Sequence, residues 1–253
     1  MIQLRQICLV AHNLSETIDD LTDILGINIC FIDPGVEYFG LNNTLMPIGR
    51  NFLEVVAPVK QDTAAGRYLE RRQGDGGYMV ICQAGSLKDQ QMYRQRALDQ
   101  GIRIAHESER DNWNICQLHP QDMMSAFLEI DWDSEDDLSG NWEPAGGSGW
   151  IDKIKQDVTV DIIGVELQGE NIEAMQRKWT DVLGLPCKNN AIKLNNSTIR
   201  FVKAKDGRGD GLSGIDLKVK DASGIRTRAA KRGCIDEKGI VSICGTRFHL
   251  HSA

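Results

Sequence analysis

No stretch of eighteen consecutive apolar residues occurs in the 253-residue chain, so no part of it is expected to cross a membrane as a helix. The N-terminus, Met1-Ile2-Gln3-Leu4-Arg5, lacks the apolar core of a signal peptide and starts directly in a strand-like pattern. No two of the seven cysteines (Cys8, Cys30, Cys82, Cys116, Cys187, Cys234 and Cys244) stand at CxxC spacing. An odd number in apolar surroundings reads as reduced thiols of a cytoplasmic protein, not as a disulfide scaffold or a structural zinc site. A basic surface is missing too. The chain has 29 Lys and Arg against 36 Asp and Glu, a net charge of -7, which argues against a nucleic-acid partner. The glycine cluster Gly74-Asp75-Gly76-Gly77 has no Lys-Ser/Thr after it and no strand–turn–helix context, so no nucleotide cofactor is expected.

What remains is an ordinary globular composition, 41% hydrophobic and 26% charged, long enough to bury a sizeable core. Two stretches stand out. Gly40 to Val56 and Ile115 to Ile130 each read as strand, turn and strand, and each second strand places one carboxylate in an apolar run: Phe52-Leu53-Glu54-Val55 and Phe127-Leu128-Glu129-Ile130. Alternate side chains of a strand share a face, so Phe52, Glu54 and Val56 point one way. A carboxylate among such neighbours either borders a cavity or pairs with a cation such as Arg5 or Arg50. If the two glutamates face each other without a metal, one must hold its proton more tightly and becomes a general acid or base.

Taken in order, the chain repeats itself. A strand over residues 4 to 11 leads into a helix capped at Asn13 or Ser15, with its apolar stripe on Leu14, Ile18, Leu21, Ile24 and Leu25 and its stop at Gly26. Strands are expected at Ile27 to Ile32, Val36 to Leu45 and Asn51 to Val56, then a helical link at Thr63 to Arg72. A second set follows: a strand at Tyr78 to Cys82, a helix at Gln90 to Gln100, a strand at Ile102 to Ala105 and the His119–Glu129 hairpin. Residues 131 to 149 are acidic, then rich in Gly, Ser and Trp, a linker composition that Trp132, Trp142 and Trp150 pin to a neighbouring face. Beyond it, Asn171 and Gly184 fall over Asn13 and Gly26 at an offset of 158 residues, and strand–helix–strand order recurs twice more. Internal duplication into four modules is the expectation.

This order resembles the vicinal-oxygen-chelate superfamily (glyoxalase, bleomycin-resistance and dioxygenase-like proteins), and Gly-Leu-Asn-Asn-Thr-Leu with Phe-Leu-Glu-Val-Val-Ala-Pro resembles its glyoxalase-like domain group. The likeness covers essentially the whole chain and is specific for fold, not reaction. It implies an α+β protein of four βαβββ modules paired into two curled eight-stranded mixed sheets with helices outside. The divisions are a first glyoxalase-like domain at 1–132 (modules 1–60 and 74–132), a linker at 133–155, and a second, degenerate domain at 156–253 (modules 156–205 and 211–253). It further implies a small-molecule lyase, isomerase or related enzyme with its site in the first domain's cleft. The alternative is a protein that only binds or sequesters a small molecule, as resistance proteins do.

Carried over residue by residue, the resemblance places Gln6, Glu54, Tyr78 and Glu129 at the ligand positions. Gln6, Glu54 and Glu129 would hold a divalent metal (Mg, Mn, Ni or Zn), while a neutral phenol at 78 is a poor ligand for such metals. Glu54, Glu129 and Tyr78 are the catalytic candidates; Tyr78 read on its own is equally a core tyrosine with a satisfied hydroxyl. Asn42 and Asn43 are candidate substrate contacts or simply a turn pair. His119, in a His-Pro-Gln-Asp hairpin, is a rim histidine or a substrate contact. Gly164, Arg200, Gly214 and His249 occupy the corresponding positions of the second domain, which therefore lacks a ligand set. Four modules per chain allow each domain to close its own cleft, so a monomer or a homodimer is expected, with no membrane or nucleic-acid partner.

Overall fold

The computed structural model describes residues 1–253. The first half runs β1 (Ile2–Val10), α1 (Leu14–Leu25), a 3-10 turn (Pro34–Phe39), β2 (Leu41–Ile48), β3 (Asn51–Pro58), α2 (Ala64–Arg72), β4 (Gly76–Ala84), α3 (Leu87–Asp99), β5 (Ile104–Glu109), β6 (Trp113–Leu118) and β7 (Phe127–Asp133). The second half runs β8 (Thr159–Gly169), α4 (Ile172–Leu183), β9 (Cys187–Lys188), β10 (Ala191–Lys193), β11 (Thr198–Lys203), β12 (Gly211–Val219), α5 (Ala222–Lys231), β13 (Val241–Ile243) and β14 (Thr246–Ser252). None of the helices is long and apolar enough to cross a membrane. All seven cysteines are free thiols.

Helix ends follow from local chemistry. The Asn13 side chain accepts the Glu16 N–H at the start of α1, and Gly26 closes it in the left-handed conformation, φ +64°, that a side chain would strain. Asn171 and Gly184 do the same for α4. Each helix buries one apolar face: Leu21, Ile24 and Leu25 in α1, and Met175, Trp179, Val182 and Leu183 in α4. These join a single core of 45 buried residues that draws on both halves. Contacts of α1 with α5 and of α3 with α4 tie the halves together.

The expectation of two separate eight-stranded sheets does not hold. Fourteen strands form one open mixed sheet, in which β4 is bordered by β1, β7 and β12. Three local causes account for the difference. Ile27 to Ile32 makes no strand; only Phe31 bridges Leu45, because the chain turns at once into Pro34–Phe39, capped by Asp33 accepting the Gly35 N–H. In the last module Ile235 bridges Val241 in isolation, so each half contributes seven strands. Finally, Gly77 pairs with Leu212 across the halves, and a Cβ at 77 would collide with the Leu212 backbone and side chain. Glycine at this position is what lets β12 join β4.

Within the first half, β1 lies parallel to β3 (Gln6 opposite Phe52, Cys8 opposite Glu54) and antiparallel to β4, while β4 lies parallel to β7 (Ile81 opposite Glu129). The β1–β4 ladder slips at Arg5 and again at Tyr78, each leaving one residue unpaired. Such bulges re-aim side chains next to a site. One sheet face, with Ile7 and Leu9, meets the large core; the other carries Gln6, Cys8, Val10, Phe52 and Val56. The segment after β7 folds back over this second face, burying Trp142 and Trp150 completely.

Candidate functional site

The second face of the first half opens as a cleft of about 550 Å³, a size that suits a small molecule. Gln6, Glu54, Tyr78, His119 and Glu129 all line it. Asn43 lies behind Glu54, whereas Asn42 points to the opposite face and is exposed. Sequence alone could not separate that pair, because adjacent residues of β2 face opposite ways.

Neutral groups hold Glu54. Asn43 Nδ2 donates to Oε1 at 2.6 Å, Gln6 Nε2 donates to Oε2 at 2.9 Å, and the Cys8 thiol lies against it. Burial pushes this carboxyl's pKa up, and the three neighbours only partly offset that. Cys8 itself is pushed far up by burial and by Glu54, so it remains a thiol. Trp142 fixes which way Gln6 points. An indole N–H can only donate, so it selects Oε1 of Gln6, at 2.9 Å, and turns the amide NH2 toward Glu54.

Glu129 occupies the facing wall on β7. Burial raises its pKa from 4.5 to about 7; a hydrogen bond from Gln117 pulls it down, and the charge of Glu54 adds to the rise. Asp131, two residues on and on the same face, is completely buried beside it. Its own pKa goes up through burial and the charge of Glu129, so the two acids share a site in which ionising both is costly. Trp113 Nε1 approaches Asp131 Oδ2 at 3.3 Å.

Neither cleft glutamate meets a cation. Arg5 turns the other way, donating to the carbonyls of Leu138 (2.9 Å) and Gly140 (2.6 Å) between the rings of Phe52, Trp142 and Trp150. Arg50 reaches the Ser139 carbonyl. Burial keeps the Tyr78 phenol protonated well beyond its ordinary range, and its ring packs edge-on to Tyr68 and Phe127 at 5.0 Å. His119 is pulled below its ordinary pKa by burial and by Arg103, whose Nη2 lies 3.3 Å from Nδ1.

These donors do not fit a divalent metal. Gln6 has committed its oxygen to Trp142 and presents NH2, Tyr78 stays a neutral phenol, and no three His, Cys, Asp or Glu side chains are placed to share an ion. Four participants escaped the sequence reading: Cys8, Gln117, Asp131 and Trp142. Strand alternation carries a signal for three of them, since Cys8 follows Gln6 by two, Asp131 follows Glu129 by two, and Gln117 sits in the paired strand. Nothing local marks Trp142, which contacts a residue 136 positions away.

No family model matches the sequence, and no curated protein does. Among solved structures, a hypothetical protein from Staphylococcus aureus superposes over 100% of both chains, with a TM-score of 0.65 and 10% identity. Methylmalonyl-CoA epimerase in complex with methylmalonyl-CoA and NH4+ covers 53% of this chain and 96% of its own, at TM-score 0.46 and 19% identity. Methylmalonyl-CoA epimerase from Mycobacterium tuberculosis covers 52% of this chain and 87% of its own, at TM-score 0.44 and 20% identity. The superposition on the Staphylococcus aureus protein over the whole of both chains shows that the two share a fold. Identities this low bear on the fold and leave the chemistry to the cleft.

Proposed function

We propose that the first-half cleft is a glyoxalase-like small-molecule enzyme site that moves a proton with its own carboxyls and without a metal. One observation carries this reading: Glu129 is buried in the cleft wall, across from Glu54 and with no cation against it, a setting that pushes its pKa up to about 7. A carboxyl that titrates near neutrality can both accept and return a proton at working pH. In the simplest step, Glu129 takes a proton from a carbon beside a substrate carbonyl. The electron pair moves onto the carbonyl oxygen, where the Tyr78 hydroxyl stabilises the developing charge by hydrogen bonding. Return of the proton to carbon completes an isomerisation or epimerisation; loss of a leaving group from the neighbouring carbon makes the same step a lyase reaction. Glu54, anchored by Asn43 and Gln6, positions the substrate, and His119 offers a neutral ring nitrogen at the wall. In this reading the four modules descend from one duplicated unit.

A second reading, binding without chemistry, is favoured by the lining, in which 15 of 23 residues are hydrophobic. One experiment separates the two. A panel of small carbonyl compounds is incubated with the protein in D2O and followed by proton NMR. Deuterium uptake beside the carbonyl, unchanged by EDTA and at least a hundredfold slower in Glu129→Gln, is the expected result. Uptake that disappears with EDTA contradicts the metal-free mechanism, and uptake unaffected by Glu129→Gln removes its role. A compound bound tightly and recovered unexchanged supports the binding reading.

A further inference from the structure

We infer that the cleft receives an organic cation, a protonated amine or quaternary ammonium carried on an apolar body about the size of an aromatic ring. This rests on reading the cleft as a small-molecule site and adds the charge and shape of what enters. Three carboxyl side chains line the space, Asp33, Glu54 and Glu129, and no lysine or arginine does. Arginines near the rim are engaged elsewhere. Arg103 holds both oxygens of Asp122 at 2.8 Å, Arg110 lies 5.0 Å from the Trp113 ring centre, Arg71 lies 5.4 Å from that of Tyr68, and Arg67 donates to the Asp62 carbonyl. An anion entering here would meet three acids and no lysine or arginine in the lining. A cation would supply the counter-charge that Glu54 and Glu129 lack within the protein.

The aromatic side chains point to the same ligand. Tyr38 and Phe39 stand at the mouth, 85% and 42% exposed, with Phe39 edge-on to His106 at 5.1 Å. Trp113 forms a wall, and Tyr78 and Phe127 pack together in the interior. Ring faces attract cations as carboxylates do, and they also bury an apolar body. Both cleft glutamates hold their protons more tightly than usual because they are buried. An arriving cation favours their ionised forms, so binding releases protons and strengthens as pH rises.

Three probes of similar shape test this by titration calorimetry on the whole chain: benzyltrimethylammonium, its neutral carbon isostere neopentylbenzene, and phenylmethanesulfonate. The cation is expected to bind at least tenfold more tightly than the isostere, and the sulfonate more weakly than either. Between pH 6 and 8 the cation's affinity should rise while the isostere's stays level, and Glu129→Gln should flatten that rise. Equal affinity for cation and isostere, or a preference for sulfonate, overturns the inference and leaves the proton-transfer reading of Glu129 standing. Failure of all three to bind overturns both.

Discussion

The two halves of the sheet bury carboxylates in opposite ways. In the first half Glu54 and Glu129 meet amides, a thiol and another carboxyl, and their pKa values go up. In the second half the buried carboxylates are Glu166 on β8 and Asp216 on β12, and cations surround both. Arg247 Nη2 donates to Glu166 Oε1 at 2.8 Å, Arg200 Nη1 donates to Oε2 at 3.1 Å, and His249 Nε2 stands 3.3 Å away. Arg200 also holds Asp216 with two bonds of 2.8 and 2.7 Å. Although burial opposes ionisation of Glu166, the His249 and Arg247 partners outweigh it and hold its pKa well below the usual range. A carboxylate saturated by arginines stays ionised and inert across the working range of pH. One held by neutral groups is costly to ionise, and that cost is what makes it able to exchange a proton.

Breaking the saturated side should have the larger effect. Glu166→Gln leaves Arg200 and Arg247 without their shared counter-ion and is expected to destabilise the fold by about 3 kcal/mol, the low end for a broken buried pair because both arginines are partly exposed. Since the folded-state pKa of Glu166 is lowered, its contribution is present at neutral pH and fades as pH falls below the ordinary carboxylate range. Urea titrations at pH 7 and pH 4 check this, with the gap between wild type and variant narrowing in acid. A gap that stays constant would mean that shape, not charge, is what Glu166 contributes.

The open side should respond with the reverse sign. Glu129 is raised from 4.5 to about 7, so the unfolded chain loses this proton first, and folding stability falls as pH rises through that window. Removing the ionisable group in Glu129→Gln should therefore stabilise the protein by about 2 kcal/mol at pH 8 and leave it nearly unchanged at pH 4. A destabilised variant at pH 8 would show that Glu129 is matched to a partner as Glu166 is. The smallest effect belongs to Trp142→Phe, which deprives Gln6 Oε1 of its donor in a buried setting and should cost about 1 kcal/mol. If Gln6 is oriented by this bond, Glu54 should titrate at a different pH in the variant; an unmoved titration would place the control of Gln6 elsewhere.

These contrasts were partly legible in the chain. Alternation along β3 and β7 is enough to aim Glu54 and Glu129 at one face, and the Asn13–Gly26 and Asn171–Gly184 caps announce their helices at a shared spacing. What escaped depends on distant partners. Ile27 to Ile32 has the apolar content of a strand, but only Phe31 finds a strand neighbour, and no local pattern reports that. The joining of the halves hangs on a close approach at Gly77, 135 residues from Leu212 in sequence. Asp131 was hidden by its surroundings, because it opens an acidic stretch that reads as linker although it completes the inward face of β7. The second half's polar face showed as missing ligands when Arg200 and His249 were viewed singly. Only the fold brings Glu166 and Asp216 against them.

Carbon-13 NMR of the glutamate side-chain carboxyls, assigned with Glu54→Gln, Glu129→Gln and Glu166→Gln, measures the difference between the halves directly. Glu129 is predicted to titrate with a midpoint near pH 7, Glu54 above the ordinary carboxylate range, and Glu166 to remain ionised below that range for as long as the fold persists in acid. A Glu129 midpoint near the ordinary 4.5 would contradict the account, because Glu129 would then not be poised to exchange a proton at neutral pH.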